Sequence, residues 1–548
     1  MNNPSEHFTG TLIGLLFIAL TIPSGCKGPY YLGEFGPYGD QEAHLLIDAP
    51  PVILVHGIKG AKLVRRADPE QTLWGNTGVN VFFHTYDELA MYPTGVKEPW
   101  DDEQYYAGVD PLREVVPQGV LKGFIVGWDW LPLFEFELYG HLVEFLRKEP
   151  INLQEGRRIF LFAYDWRLDN RVATVLLADS LTNYQDEYLR EQVRLTLGLN
   201  ENDRSQEKER RVRACLDTRG GAEVTRDNPC LRYWRKLMAR GTLDQEGNVR
   251  FTVVTHSMGG LVGRYFANGL GYKGRIHKLV MFGSPNRGVM DAIRGVIEGE
   301  HPPSFLHYLG VKFFSAASTR KVHLSFGSLF QLFPRYRKAV VDFETGGDVT
   351  EQFGLGATMI TPATIKSWKQ ILGPLGKDLK AYNGSLDQYL KFQLESARCL
   401  HLAISDPRAV PINLMKPCNE AQRVEQIVRY LQKYHPSVKT LPPKGLPHDP
   451  PIVNLGGYCE RTLSTMAVDG QKVYFLDHEY TPEEEGFFSF GGNQPDLSLV
   501  GDNRVPIKSL NFTRPSNAGD ANILVCTGHM GIIKDESLKY NLLRAIFY

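Results

Sequence analysis

The chain has 548 residues, of which 43% are hydrophobic and 11% aromatic, and its 61 Lys and Arg face 62 Asp and Glu. That is enough apolar chain for a large globular core, and the near-zero charge balance gives no sign of the basic face by which nucleic-acid-binding proteins hold phosphate, so no nucleic-acid partner is expected. No internal repeat or low-complexity tract divides the sequence.

Residues 12–22 form an apolar run of about a dozen residues, too short to span a bilayer and suited to the core of a signal peptide. The preceding MNNPSEHFTG has no Lys or Arg, and the run ends in PSGC at Cys26. Ser24 and Gly25 before a cysteine resemble a bacterial lipoprotein cleavage site, with Pro23 where an aliphatic residue is expected. Residues 1–26 are therefore expected to be a signal or lipoprotein-type segment, and the protein exported or membrane-associated. Two readings of Cys26 stay open, a lipid anchor or part of a membrane-proximal stretch. Of the other six cysteines, Cys215 with Cys230 and Cys399 with Cys418 are close enough to close small loops in an oxidising compartment. Cys459 and Cys526 read as buried thiols at strand ends. Neither CxxC spacing nor a His/Cys cluster is present, so no metal and no cofactor are expected.

The first strong element is PVILVHGIKG at 51–60, an all-apolar strand that stops at His-Gly. Residues 62–135 are rich in Trp, Tyr, Gly and Pro with few periodic segments, and read as a loop-rich insertion carrying Trp74, Trp100, Trp128 and Trp130. A helix is expected at 139–148, a strand at 159–162, then AYDWRLDNR and a helix from about 172, which is the grammar of βαβ units in a parallel sheet. Asp165 and Arg167 fall at a strand's carboxyl end, where they either meet a ligand or pair and brace the loop. The charged segment at 201–213 reads as a solvated insertion within 196–232.

The centre of the chain is FTVVTHSMGGLVGRYFA at 251–267. Its β-branched run suits a strand buried on both faces, and the text after Gly259 has helical spacing. A strand that turns directly into a helix around Thr-His-Ser-Met-Gly places Ser257 in a strained conformation over a helix N-terminus, which is a nucleophile elbow. Thr255 stands where the GxSxG pattern has its first glycine. A strand follows at 278–284, and from 289 to 450 the βα alternation gives way to apolar, aromatic segments such as FGSLFQLFPRY, expected to form a cap or lid. Such a cover over a serine points to a substrate with a large apolar part, although a stabilising side domain has the same composition.

The sheet is expected to resume at 451–457 and to run through 451–548 as the second part of a core begun at 47–288. Serine needs an imidazole to take its proton and a carboxylate to orient that imidazole. Asp502, in LVGDNRVPIKSL, and His529, after the strand at 521–527, supply them in the order that α/β-hydrolases use. The amides of Ile58 and Met258 are expected to form the oxyanion hole.

These motifs resemble the lecithin:cholesterol acyltransferase family, which includes phospholipid:diacylglycerol acyltransferases and related phospholipases. The likeness is carried by VILVHGIKGAKL, LWG at 73–75, AYDWRL at 163–168, THSMGG at 255–260, FGSPNRG at 282–288, SLFQLFP at 328–334, GDNRVP at 501–506 and GHMGI at 528–532. It implies Ser257, Asp502 and His529 as the triad and Ile58 and Met258 as oxyanion donors. Arg504 departs from the small or hydroxyl residue usual there, and Thr255 from the usual glycine.

The fold expected is thus α/β, an α/β-hydrolase with a mostly parallel central sheet and a large cap insertion. The expected function is a serine-dependent lipid acyl hydrolase or O-acyltransferase working on a long-chain lipid ester, with water or an alcohol as acceptor. Alternatives are a non-catalytic lipid-binding protein on the same fold, and a small-ester or amide hydrolase.

Overall fold

A computed structural model describes residues 49–75, 86–91, 114–128, 131–137, 139–148, 151, 153–199, 205–218, 229–300, 316–372, 386–405, 418–435, 438, 440–477, 501–510 and 521–547. The expected signal segment, Cys26, Trp100 and Trp130 lie outside these residues. Among those described, no helix is long and apolar enough to cross a membrane.

The strands in chain order are β1 (Val52–Val55), β2 (Ala61–Arg65), β3 (Thr72–Trp74), β4 (Val115–Val120), β5 (Gly123–Trp128), β6 (Leu131–Glu137), β7 (Ile159–Phe162), β8 (Phe251–His256), β9 (Ile276–Phe282), β10 (Val340–Asp342), β11 (Ile452–Tyr458), β12 (Thr465–Asp469), β13 (Lys472–Leu476) and β14 (Ala521–Cys526). Six of them form the central sheet in the order β14-β11-β9-β8-β1-β7. Every pairing within it is parallel. All six strands therefore end at one edge, and β8 lies in the middle of the sheet.

Burial on both faces explains why the inner strands β1, β8 and β9 read as strongly apolar runs. Ile53, Val55, Val253 and Leu279 enter one core, with Val172, Val175 and Leu181 of the helix Asn170–Thr196. Val52, Leu54, Val254 and Val280 enter the other, with Leu142 of the helix Gly140–Arg147 and Leu538 and Leu542 of the helix Glu536–Phe547. Side chains alternate across the sheet, and each face has a helical layer to receive them.

Residues 62–135, expected to be a loop-rich excursion, contain more order than that. β2 pairs antiparallel with β3 and β4, and β5 pairs antiparallel with β6. Register shifts interrupt the ladders at Lys62/Leu63, Leu63/Val64 and Val126/Gly127, and such bulges blur the two-residue alternation by which strands are recognised.

Between β9 and β11 the chain is mainly helical, with helices at Met290–Ile297, Ala316–His323, Gly327–Gln331, Pro362–Leu372, Leu386–Ile404 and Glu420–Leu431. β10 lies within this insertion and pairs with β12, which in turn pairs with β13. The insertion's structure thus continues past residue 450 into 465–476. A buried ion cluster ties the insertion to the core. Arg171, wholly buried, lies 2.9 Å from Asp169 and 2.8 Å from Glu420, and donates to the Ser396 carbonyl at 2.9 Å. Tyr265, beyond the helix Gly259–Arg264, donates to the same Glu420 at 2.6 Å.

Among the described residues three disulfides are present, Cys215–Cys230, Cys399–Cys418 and Cys459–Cys526. The third corrects the reading of Cys459 and Cys526 as buried thiols. Tyr458 and Cys526 are register partners on β11 and β14, so Cys459, one residue past the strand, lies beside Cys526. A separation of 67 residues conceals that adjacency in the sequence.

Candidate active site

β8 ends at His256, and the chain turns into the helix Gly259–Arg264 through Ser257, whose φ is +52°. That left-handed conformation is costly for a residue with a side chain and lifts the hydroxyl off the sheet edge. The turn closes because Gly259 lets the helix reach β1. A Cβ there would stand 2.6 Å from the Val55 carbonyl oxygen and 2.5 Å from that of His56. The departure at Thr255 has its compensation one helical turn on, at Gly263. A Cβ at Gly263 would meet the Thr255 methyl at 2.8 Å, so the small residue has been exchanged between strand and helix.

The structure brings the three expected residues together. His529 Nε2 lies 3.0 Å from Ser257 Oγ, and His529 Nδ1 lies 2.8 Å from Asp502 Oδ2. Asp502 is fully buried and His529 is 8% exposed, so water is largely kept from the pair. The other carboxylate oxygen, Oδ1, accepts main-chain bonds from Arg504 at 3.0 Å and Val505 at 2.7 Å. Both oxygens are thus occupied in a geometry that holds the carboxylate still. With Asp502 accepting at Nδ1, the neutral imidazole keeps its proton there and presents a bare Nε2 to the serine hydroxyl.

Ile58 and Met258 flank the serine, Ile58 on the turn after β1 and Met258 directly after Ser257. Neither amide has a protein acceptor among the described residues. The direction of the Ile58 amide is fixed from behind. It shares a planar peptide with the Gly57 carbonyl, which accepts from His56 Nδ1 at 2.7 Å and from the Gly60 amide at 3.1 Å. His56 is itself held, since the Tyr164 amide donates to its Nε2 at 3.2 Å and the Tyr164 hydroxyl donates to its carbonyl at 2.8 Å. The two rings stack at 4.2 Å. Burial lowers the His56 imidazole to about 4, so it works as a neutral donor and acceptor. Tyr164 escaped the sequence reading. It lies in the AYDWRL run, where the charged Asp165 and Arg167 drew attention and the tyrosine carried no signal of its own.

Asp165 and Arg167 pair with each other at 2.6 Å, both buried, and Arg167 also donates to the Leu89 carbonyl at 3.0 Å. They brace the loop. Arg504 reaches Asp291 at 2.9 Å, while Lys59, beside Ile58, reaches Glu300 at 2.6 Å. The loops carrying Ile58 and Asp502 are in this way tied to the segment that begins the insertion. Although burial opposes it, the Lys59 ammonium with His323 nearby holds Glu300 down at about 2. Among the described residues no group of His, Cys, Asp and Glu could hold a metal ion.

A serine elbow on the central strand of a parallel sheet, a histidine after the last strand and an acid between them define an α/β-hydrolase fold. No family model and no curated protein matches the chain. Among solved structures it is similar to a chain in the crystal structure of a Tle4–Tli4 complex, with a TM-score of 0.40 and 14% identity over 91% of this chain and 98% of that one. That likeness carries no inference about activity.

Proposed function

We propose that the protein is a serine-dependent acyl hydrolase or acyltransferase acting on an ester of a long-chain lipid. The observation that carries this is the unbroken chain Ser257 Oγ, His529, Asp502 at 3.0 and 2.8 Å. In this reading Ser257 Oγ attacks the ester carbonyl carbon as His529 Nε2 takes its proton, and the oxyanion is received by the Ile58 and Met258 amides. Collapse breaks the bond to the alcohol, which leaves with the proton from His529. The acyl-serine then passes to water or to an acceptor alcohol by the same steps in reverse order.

The lipid part of the proposal is supported by two methionines that adjoin the triad in sequence. Met258 is fully buried beside the serine, and Met530, next to His529, keeps its side chain 39% exposed. The aromatic insertion at 289–450 and the motifs shared with the lecithin:cholesterol acyltransferase family point the same way. Work outside the cytoplasm or at a membrane surface is supported by the apolar run at 12–22 and by three disulfides.

The test is incubation of the purified protein with phosphatidylcholine labelled in its acyl chains, with and without a long-chain alcohol or sterol. Labelled fatty acid or a new ester from the wild type and neither from Ser257→Ala is the expected result. The ratio of the two products distinguishes hydrolase from transferase. Turnover of short esters or amides with none of phospholipid or acylglycerol overturns the lipid assignment.

A further inference from the structure

Behind the catalytic residues runs a second hydrogen-bonded chain that the triad does not use. The Gly57 amide donates to the Tyr139 hydroxyl at 2.8 Å, and that hydroxyl lies 2.9 Å from His256 Nδ1. Both side chains are buried, Tyr139 at 2% and His256 at 3% exposure. The proton positions follow once each proton is given an acceptor. The hydroxyl oxygen accepts from the Gly57 amide, and donation to His256 Nδ1 is the arrangement that gives the hydroxyl's own proton a partner among the described residues. Nδ1 is then bare and the proton of the neutral ring sits on Nε2. Burial keeps this imidazole well below its usual range, which agrees with a neutral ring.

The Nε2 end has no hydrogen-bond partner of good geometry among the described residues and lies against the main chain of His529. The His256 and His529 rings are 4.9 Å apart, and Tyr139 meets His256 edge-on at 5.5 Å. His256 also immediately precedes the strained Ser257. One buried chain therefore touches the oxyanion turn, the elbow and the histidine loop in succession.

We infer that Tyr139 and His256 are positioning residues that hold the oxyanion turn in register with the nucleophile and with His529, an inference that rests on the serine-hydrolase reading above. Gly57 is the pivot. Its amide is fixed by Tyr139 and its carbonyl by His56, so the adjacent Ile58 amide is constrained from two sides. Loss of the Tyr139 hydroxyl leaves the buried Gly57 amide unpartnered and frees the His56–Gly57 peptide to tilt, which moves the adjoining peptide and its Ile58 amide, a donor used only when negative charge develops on the substrate. The effect falls on kcat and leaves KM nearly alone.

The experiment compares the wild type with Tyr139→Phe, His256→Asn and His256→Leu, each rate being expressed per serine titrated by a fluorophosphonate probe. Tyr139→Phe is expected to lower kcat about tenfold at nearly constant KM. His256→Asn, whose side-chain oxygen can accept from Tyr139, should retain more kcat than His256→Leu. A merely structural role would lower the number of titrated serines and leave kcat per serine unchanged, and that result overturns the inference. A second measurement stands apart from activity. In wild-type protein carrying 15N-labelled histidine, His256 should show a bare Nδ1 and a protonated Nε2, and the opposite tautomer or an imidazolium at neutral pH overturns the chain. Absence of probe labelling in the wild type refutes the serine reading instead, and the tautomer still decides the chain.

Discussion

Asp502 and His529 are joined twice, by the side-chain bond at 2.8 Å and by a main-chain bond of 2.6 Å from the His529 amide to the Asp502 carbonyl. The segments carrying Asp502 and His529 thus hold their register even without the carboxylate. Asp502→Asn should fold with unchanged thermal stability to within a few degrees and lose about ten-thousandfold in kcat, because an amide in that place favours the wrong imidazole tautomer. Steady-state kinetics alongside circular dichroism checks this. Activity within tenfold of the wild type would show that another carboxylate serves His529.

The Cys459–Cys526 bridge closes the same pair of loops. Cys526 lies three residues before His529, and Glu460, next to Cys459, exchanges main-chain bonds of 3.0 and 3.1 Å with Gly501 beside the acid. Replacing both cysteines by serine should cost about 2–4 kcal/mol of stability and lower kcat as well. The matched Cys399→Ser, Cys418→Ser variant should lose stability with little change in kcat, since that bridge joins two segments of the helical insertion. Urea unfolding with parallel kinetics tests both; equal kinetic effects would contradict the assignment.

Arg171 fastens the insertion to the core through Asp169, Glu420 and Ser396. Arg171→Met takes the main cation from the buried Asp169 and the partly buried Glu420 and should destabilise the fold by about 3–5 kcal/mol. Adding Asp169→Asn and Glu420→Gln should recover part of that loss, because the stranded charges are removed with their partner. Chemical denaturation of the single and triple variants measures it, and no recovery would locate the loss in packing.

Acid sensitivity has a predicted window. Burial lowers both His56 and His323 to about 4, against 6.5 when exposed in the unfolded chain. The unfolded state therefore binds more protons as pH falls, and the stability contributed above pH 6.5 is lost progressively toward pH 4. Each histidine accounts for about 2 kcal/mol of loss by pH 5. Melting temperature followed from pH 7 to 5 should decline before the carboxylates titrate, and a flat profile over that interval would contradict buried neutral histidines.

How much of this could be read beforehand divides along a physical line. β1, β7, β8, β9 and β11 are largely buried and β14, at the sheet's edge, still carries the apolar run Ile523–Cys526, so the sheet and the strand ends carrying Ser257 and His529 were legible. Asp502 was legible from its order in the chain. The bulged ladders of β2 to β6 were not, since bulges break the period that marks a strand. Nor were contacts made across the fold. Tyr139 lies 82 residues from Gly57 and 117 from His256 in sequence, and nothing local to a tyrosine before a helix records such partners.

Everything proposed above depends on Ser257 being a nucleophile activated by His529. The most direct measurement is reaction of the wild type and of Ser257→Ala with a long-chain alkyl fluorophosphonate, followed by peptide mapping in a mass spectrometer. One phosphonyl group per chain is expected, on Ser257, formed at a rate that falls by several orders of magnitude in His529→Ala, with no adduct on the Ser257→Ala protein. Labelling of a different residue, or equal labelling of both proteins, would contradict it.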